Sequence, residues 1–144
     1  MQDQYMPMNV LIVDASQAVR TSLGALLHSI TGVGTVREAG TLSAALERIR
    51  RHPPTLLILD LRLPDGLGDT MLQTFKQLAP KMRIAVFSLH ADPGRQQQCL
   101  ARGADMFFDK AIQAGALRDW LQLAALHQAS TESDLTNPNP EKTP

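Results

Sequence analysis

The sequence predicts an α/β fold: a doubly wound, five-stranded parallel sheet with helices on both faces, a three-layer (βα)5 sandwich. Three observations predict it. Five short apolar runs alternate with five longer amphipathic stretches, and strict βα alternation implies a parallel sheet covered on both sides. The third run, Leu56–Leu59, is apolar at every position, as suits a strand buried on both faces. The chain has 144 residues, 44% of them hydrophobic, which suits one domain with a real core. Right-handed crossovers leave few topologies. Five strands fit the order 2-1-3-4-5, in which ligands sit at the carboxyl ends of the strands.

Each element has its own signal. The first strand is residues 9–13 (NVLIV). Val19, Leu23, Leu26, Leu27 and Ile30 follow at helical spacing, with Ser16 as N-cap. The second strand, about residues 34–38, is weakly apolar, as an edge strand can be. A helix over about 42–51 is stopped by Pro53 and Pro54. After the third strand, Pro64-Asp65-Gly66 reads as a turn. A helix then spans about 68–78, with Pro80 just beyond. The fourth strand is residues 84–87. Asp92 then caps a helix whose first position is Pro93 and whose end is marked by Gly103. The fifth strand is 106–108, and a last helix covers about 114–128. The folded domain is therefore expected over residues 1–128. Residues 129–144 turn to Ser, Thr, Asn, Pro and Glu, and a disordered polar tail or linker is expected there.

Composition excludes several function classes. Lys plus Arg number 14 and Asp plus Glu number 14, a balance that argues against broad, non-specific nucleic-acid binding, which needs a basic surface. A single cysteine, Cys99, allows no internal disulfide and fits a reducing compartment. The first eight residues hold no signal-peptide core. No apolar run approaches the ~20 residues of a membrane span. A soluble, cytoplasmic protein with no direct nucleic-acid or membrane contact is expected. His28, His52, His90 and His127 are scattered without ligand spacing, so no zinc site is expected. Gly32 and Gly34 make no nucleotide-binding loop.

The informative residues stand at the carboxyl ends of the strands. Asp14 ends the first apolar run, Asp60 the third and Ser88 the fourth, and Lys110 follows the fifth by two residues. In the order 2-1-3-4-5 these groups meet along one sheet edge. Taken singly, Asp14 is a helix cap, Ser88 a loop hydroxyl and Lys110 a solvated surface charge. Together they suit phosphoryl transfer. A carboxylate acts as nucleophile, Mg²⁺ prefers hard oxygen donors, and a lysine with a hydroxyl binds phosphoryl oxygens as charge develops.

The segment LLILDLRLPDGLG, residues 56–68, resembles the phosphoacceptor segment of the response-regulator receiver domains of bacterial two-component signalling. The likeness extends from about Val10 to Leu126 and implies a flavodoxin-like, CheY-like fold. It also implies Asp60 as phosphoacceptor, Ser88 as the hydroxyl after the fourth strand, Lys110 as the family's lysine, and Phe107 at the aromatic switch position. Mg²⁺ would be held by Asp14, Asp60 and the main-chain carbonyl of Arg62. The implied partners are a sensor histidine kinase or phosphotransfer protein, and a downstream protein or second copy on the face of the fourth helix, fifth strand and fifth helix. In the implied switch, the phosphoryl group draws Ser88 inward and Phe107 follows into the vacated space.

Two positions depart from the family pattern. Ala15 replaces the usual second acid, so weak Mg²⁺ binding is expected. Ala111 follows Lys110 where the family tends to place a proline, and cis bonds without proline are costly. Ala15 also motivates an alternative, a metal-impaired pseudo-receiver that acts as a phosphorylation-independent binding module. An aspartyl-nucleophile phosphatase fits less well, because Arg62 stands where such enzymes commonly carry a second acid; the chain is read as an acceptor and not an enzyme. Trp120, with Leu117, Leu121 and Ala124, is expected to pack in the core, while Leu123 and Leu126 widen the apolar surface toward a partner.

Overall fold

The alternation of side chains along the strands decides how the sheet is covered. The computed structural model of the chain describes residues 6–136, and the side chains of residues 6–128. Strands β1 (Met8–Val13), β2 (Val33–Ala39), β3 (Leu56–Leu59), β4 (Arg83–Ser88) and β5 (Met106–Asp109) form one sheet in the order β2-β1-β3-β4-β5. Every neighbouring pair is parallel. This is the expected order 2-1-3-4-5.

Successive strand residues face opposite sides, and two cores result. Leu11, Val13, Leu57, Leu59, Ile84, Val86 and Phe107 point to one side. They pack there with α2 (Leu42–Arg51), α3 (Leu72–Leu78) and α4 (Pro93–Ala101). Met8, Val10, Ile12, Leu56, Ile58, Ala85, Phe87 and Phe108 point to the other, against α1 (Gln17–His28) and α5 (Ala114–Thr136). The four residues of β3 are all buried, because this strand lies at the centre of the sheet with helices on both faces.

The capping residues act as their types dictate. Ser16 accepts from the Val19 N–H and Asp92 from the Arg95 N–H. Gly103, at φ 121°, turns the chain out of α4 where a side chain would be strained.

Three elements differ from the sequence expectation. Residues around Pro64-Asp65-Gly66 form a small antiparallel hairpin, Arg62–Leu63 paired with Gly66–Leu67. The expected helix over 68–78 divides into a 3-10 turn, Gly68–Met71, and α3. The last helix passes its expected end at residue 128 and reaches Thr136. Residues 129–136 contain no Gly or Pro to break it. Residues 1–5 of the expected domain and 137–144 of the expected tail lie outside the described residues. Among the described residues no helix is long and apolar enough to cross a membrane.

Candidate functional site

The parallel register brings the strand ends side by side. Val13 pairs with Leu59, and Leu59 with Val86, so Asp14 and Asp60 leave the sheet next to each other. The Asp60 N–H donates to the Val13 carbonyl at 2.9 Å, and the Asp14 N–H to the Ala39 carbonyl at 3.1 Å. Ser88 pairs with Asp109 across the β4–β5 ladder. The Lys110 N–H donates to the Ser88 carbonyl at 2.9 Å.

Lys110 occupies the space between the two carboxylates. Its ammonium donates to Asp14 Oδ2 at 2.6 Å and to Asp60 Oδ2 at 3.0 Å. The remaining oxygens are held by main-chain donors: Asp14 Oδ1 accepts from the Ser16 N–H at 2.9 Å, and Asp60 Oδ1 from the Leu61 N–H at 2.7 Å. Burial pulls the Lys110 pKa down, but hydrogen bonds and attraction from Asp14 and Asp60 outweigh it and leave it raised. The ammonium also lies 5.6 Å from the centroid of the Phe87 ring, within cation–π range.

Ser88 is fully buried, and its hydroxyl accepts from the His90 N–H at 3.1 Å. Arg62 opens the hairpin after Asp60 with its side chain exposed. Phe107 is buried in the core shared with α2, α3 and α4. Its neighbours there include Val86 of β4 and Cys99 of α4. Asp14, Asp60 and Lys110 touch directly, Ser88 joins them through the main chain, and Arg62 and Phe107 stand outside this hydrogen-bonded set. The loop holding Lys110 and Ala111 has trans peptide bonds, with no cis bond among the described residues.

The surroundings contain groups that sequence reasoning passed over. Arg20 donates through Nη1 to the Asp14 carbonyl at 2.6 Å and pairs through Nε with Glu38 at 2.9 Å. It thereby fixes the end of β1 to the end of β2. Asp65 accepts from the Leu42 N–H at 2.8 Å and the Ser43 N–H at 2.9 Å. These two bonds, the Leu42 one first, hold its carboxyl below the usual range and tie the hairpin to the start of α2. Gly68 is packed so closely that a Cβ there would fall 2.6 Å from the Asp60 carbonyl oxygen. Asp69, in the same turn, is buried and faces Arg95 and Arg102. No sequence period marks these last contacts.

The donor set for a metal is two carboxylates within reach of one ammonium. Mg²⁺ is commonly held by one or two carboxylates, with water and phosphate oxygens completing its shell, so the pair fits such an ion. Ala15, exposed beside Asp14, adds no oxygen. Among the described residues no three His, Cys, Asp or Glu side chains gather as a metal cluster.

Residues 10–122 match the family model of the response regulator receiver domain. The chain is 35% identical over 128 residues to the KDP operon transcriptional regulatory protein KdpE of Escherichia coli K12, an alignment covering 88% of this chain and 55% of that protein. It spans about half the length of the first curated relatives it matches. The fold superposes on a CheY-like receiver domain protein of Methanospirillum hungatei with a TM-score of 0.77 at 25% identity, covering 88% of this chain and 99% of that one. It also superposes on a response regulator of Burkholderia pseudomallei solved with a phosphorylated aspartic acid and a calcium ion. That TM-score is 0.72 at 25% identity, over 91% of this chain and 75% of that one.

Proposed function

As the chain belongs to the response regulator receiver family of two-component signalling, we propose that it is a phosphorylation-dependent switch whose phosphoacceptor is Asp60. The observation that carries the reading is the Lys110 ammonium bridging Asp14 and Asp60 at 2.6 and 3.0 Å. Such a bridge concentrates positive charge where the negative charge of a transferring phosphoryl group would develop.

The donor is a phosphohistidine on a sensor histidine kinase or phosphotransfer protein. A carboxylate oxygen of Asp60 attacks phosphorus, the O–P bond forms as the N–P bond breaks, and the imidazole takes up a proton. Lys110 neutralises the transferred group. Ser88 uses one lone pair to accept from His90, which leaves its own O–H for a phosphoryl oxygen. Mg²⁺ would be held by Asp14, Asp60 and the Arg62 main-chain carbonyl and would screen the phosphoryl oxygens, with weak affinity because Ala15 supplies no ligand. The chain acts as an acceptor and not as a turnover enzyme.

The signal leaves through α4, β5 and α5. Leu100 is 46% exposed, and Leu123 and Leu126 are each 64% exposed. Trp120 stacks under Arg83 at 4.7 Å and meets Phe108 at 5.9 Å. A downstream protein or a second copy would dock there, and a two-fold dimer is the commonest closed assembly. In this reading the phosphoryl group draws Ser88 inward and Phe107 follows into the vacated space, so that phosphorylation favours one of two packings. A cytoplasmic location and the absence of direct nucleic-acid contact belong to the same reading.

Incubation with acetyl phosphate and Mg²⁺, followed by intact mass, should add one phosphoryl group, and Asp60→Asn should add none. Ala15 favours a second reading, a pseudo-receiver in which Lys110 is the permanent counter-ion of Asp14 and Asp60. Restoring the acid with Ala15→Asp should tighten Mg²⁺ in a titration and speed phosphorylation. A wild-type chain that takes up no phosphoryl group at saturating Mg²⁺ supports the second reading.

A further inference from the structure

We propose that Asp69 ties the phosphoacceptor loop to both ends of α4 and so positions that helix; the inference rests on the reading of Asp60 as phosphoacceptor for its signalling role. Asp69 lies in the 3-10 turn Gly68–Met71 and is 5% exposed. Its Oδ2 accepts from Arg95 Nη1 at 3.4 Å and stands 3.7 Å from Arg102 Nη1. Arg102 Nη1 also donates to the Asp69 carbonyl at 3.4 Å. Arg95 belongs to the first turn of α4, and Arg102 is its C-cap. One carboxylate thus holds a helix at its beginning and its end.

The turn is attached just as closely to Asp60. The Gly68 N–H donates to the Leu61 carbonyl at 2.7 Å, and Gly68 has no room for a Cβ against the Asp60 carbonyl. A displacement of the Asp60 main chain is therefore passed to Gly68 by contact and to Asp69 through one peptide. From there it reaches α4 without passing through Ser88 or Phe107.

The carboxylate is also poorly suited to a purely structural role. Its Oδ1 is buried with no hydrogen-bond partner among the described residues, and an unmatched buried acceptor disfavours the folded state. The side chains of Arg95 and Arg102 are 33% and 37% exposed, so water can solvate them without Asp69. The Cys99 thiol of α4 is pushed up to about 11 by burial first and by the Asp69 charge second. The carboxylate is thus felt inside the core that α4 covers. Pairs this long can shorten or break with small loop movements, which is what a two-position element needs.

The test is amide exchange on the intact chain. Without phosphodonor, Asp69→Asn, and separately Arg95→Gln combined with Arg102→Gln, should raise exchange in α4 by about five-fold or more. The amides of α1 and β1 should stay at wild-type rates. The arginine pair, being partly solvated, guards against a variant that simply fails to fold. With acetyl phosphate and Mg²⁺, phosphorylated Asp69→Asn should lose half or more of the wild-type change in α4 exchange, and adding Ser88→Ala should remove more. Wild-type α4 rates in the unphosphorylated variants overturn the tether. So does a full α4 response in Asp69→Asn phosphorylated to the wild-type extent. A wild-type chain that takes up no phosphoryl group contradicts the phosphoacceptor reading alone, and the unphosphorylated comparison then decides the tether.

Discussion

Two ion-pair clusters, each with a buried carboxylate, lie on either side of Gly68, and they are built differently. At the strand ends, Lys110 stands 2.6 and 3.0 Å from its partners, and all four oxygens of Asp14 and Asp60 have donors. Beside α4, the contacts of Asp69 with Arg95 and Arg102 are 3.4 and 3.7 Å, and one oxygen has no partner among the described residues. The first cluster is saturated and preorganised. Breaking it leaves two carboxylates facing each other with little water. The second is longer and incompletely partnered, so it holds α4 locally, contributes little to global stability and can rearrange. One suits the chemistry of a site, the other a link whose length can change.

The largest expected effect breaks the saturated cluster. Lys110→Met keeps the stem and removes the ammonium, and it should cost about 3 kcal/mol of stability, because a buried pair stripped of one partner leaves uncompensated charge. Urea unfolding at neutral pH measures it. A loss below about 1 kcal/mol would mean that water already screens Asp14 from Asp60.

Next in size is the hinge between the clusters. Gly68→Ala places a methyl 2.6 Å from a main-chain oxygen, which cannot rotate aside as a side chain can. A loss of about 2 kcal/mol is expected, with a slower phosphorylation rate because the Asp60 main chain must shift. Unchanged stability and rate would show that the turn yields freely.

Asp69→Leu sharpens the contrast from the other side. Replacing a buried, under-partnered carboxylate with an apolar side chain is often neutral or stabilising, so a change within about 1 kcal/mol in either direction is expected. A loss as large as that of Lys110→Met would make the two clusters equivalent and remove the distinction.

The smallest effect is in the alkaline limb. The folded pKa of Lys110 is raised. Its contribution is therefore complete below the unfolded lysine value, about 10.4, and is lost as pH rises through the folded value. The stability gap between wild type and Lys110→Met should stay constant from neutral pH to about 10 and shrink above it. A gap that closes already between about pH 7 and 9 contradicts the ion-pair account.

The same contrast explains what the sequence disclosed. Asp14, Asp60, Ser88 and Lys110 were legible because parallel strands end on a common edge, so residues far apart in the chain inherit a shared place from the strand order. Ser16, Asp92 and Gly103 were legible because caps are local chemistry. The hairpin after Asp60 was not, since strands of two residues carry no period. The helical stretch up to Thr136 was hidden by polar composition that also suits a linker. Asp69 was hidden more deeply. Its hydrogen bonds to Arg95 and Arg102 cross sequence separations of 26 and 33, and only the packing of α4 against the 3-10 turn brings them together. The inward position of Phe107 is likewise a property of the core, because an aromatic ring suits a buried or an exposed site.

The central claim is that Asp60 alone receives the phosphoryl group, and its most direct test locates the modified carboxylate chemically. Borohydride reduces an aspartyl phosphate to homoserine and leaves free aspartate unchanged. After treatment with acetyl phosphate and Mg²⁺, reduction and peptide mass spectrometry should find homoserine at position 60 and at no other aspartate, and none in Asp60→Asn. Homoserine at Asp14 or Asp109, or at no position in the phosphodonor-treated wild type, would contradict the account.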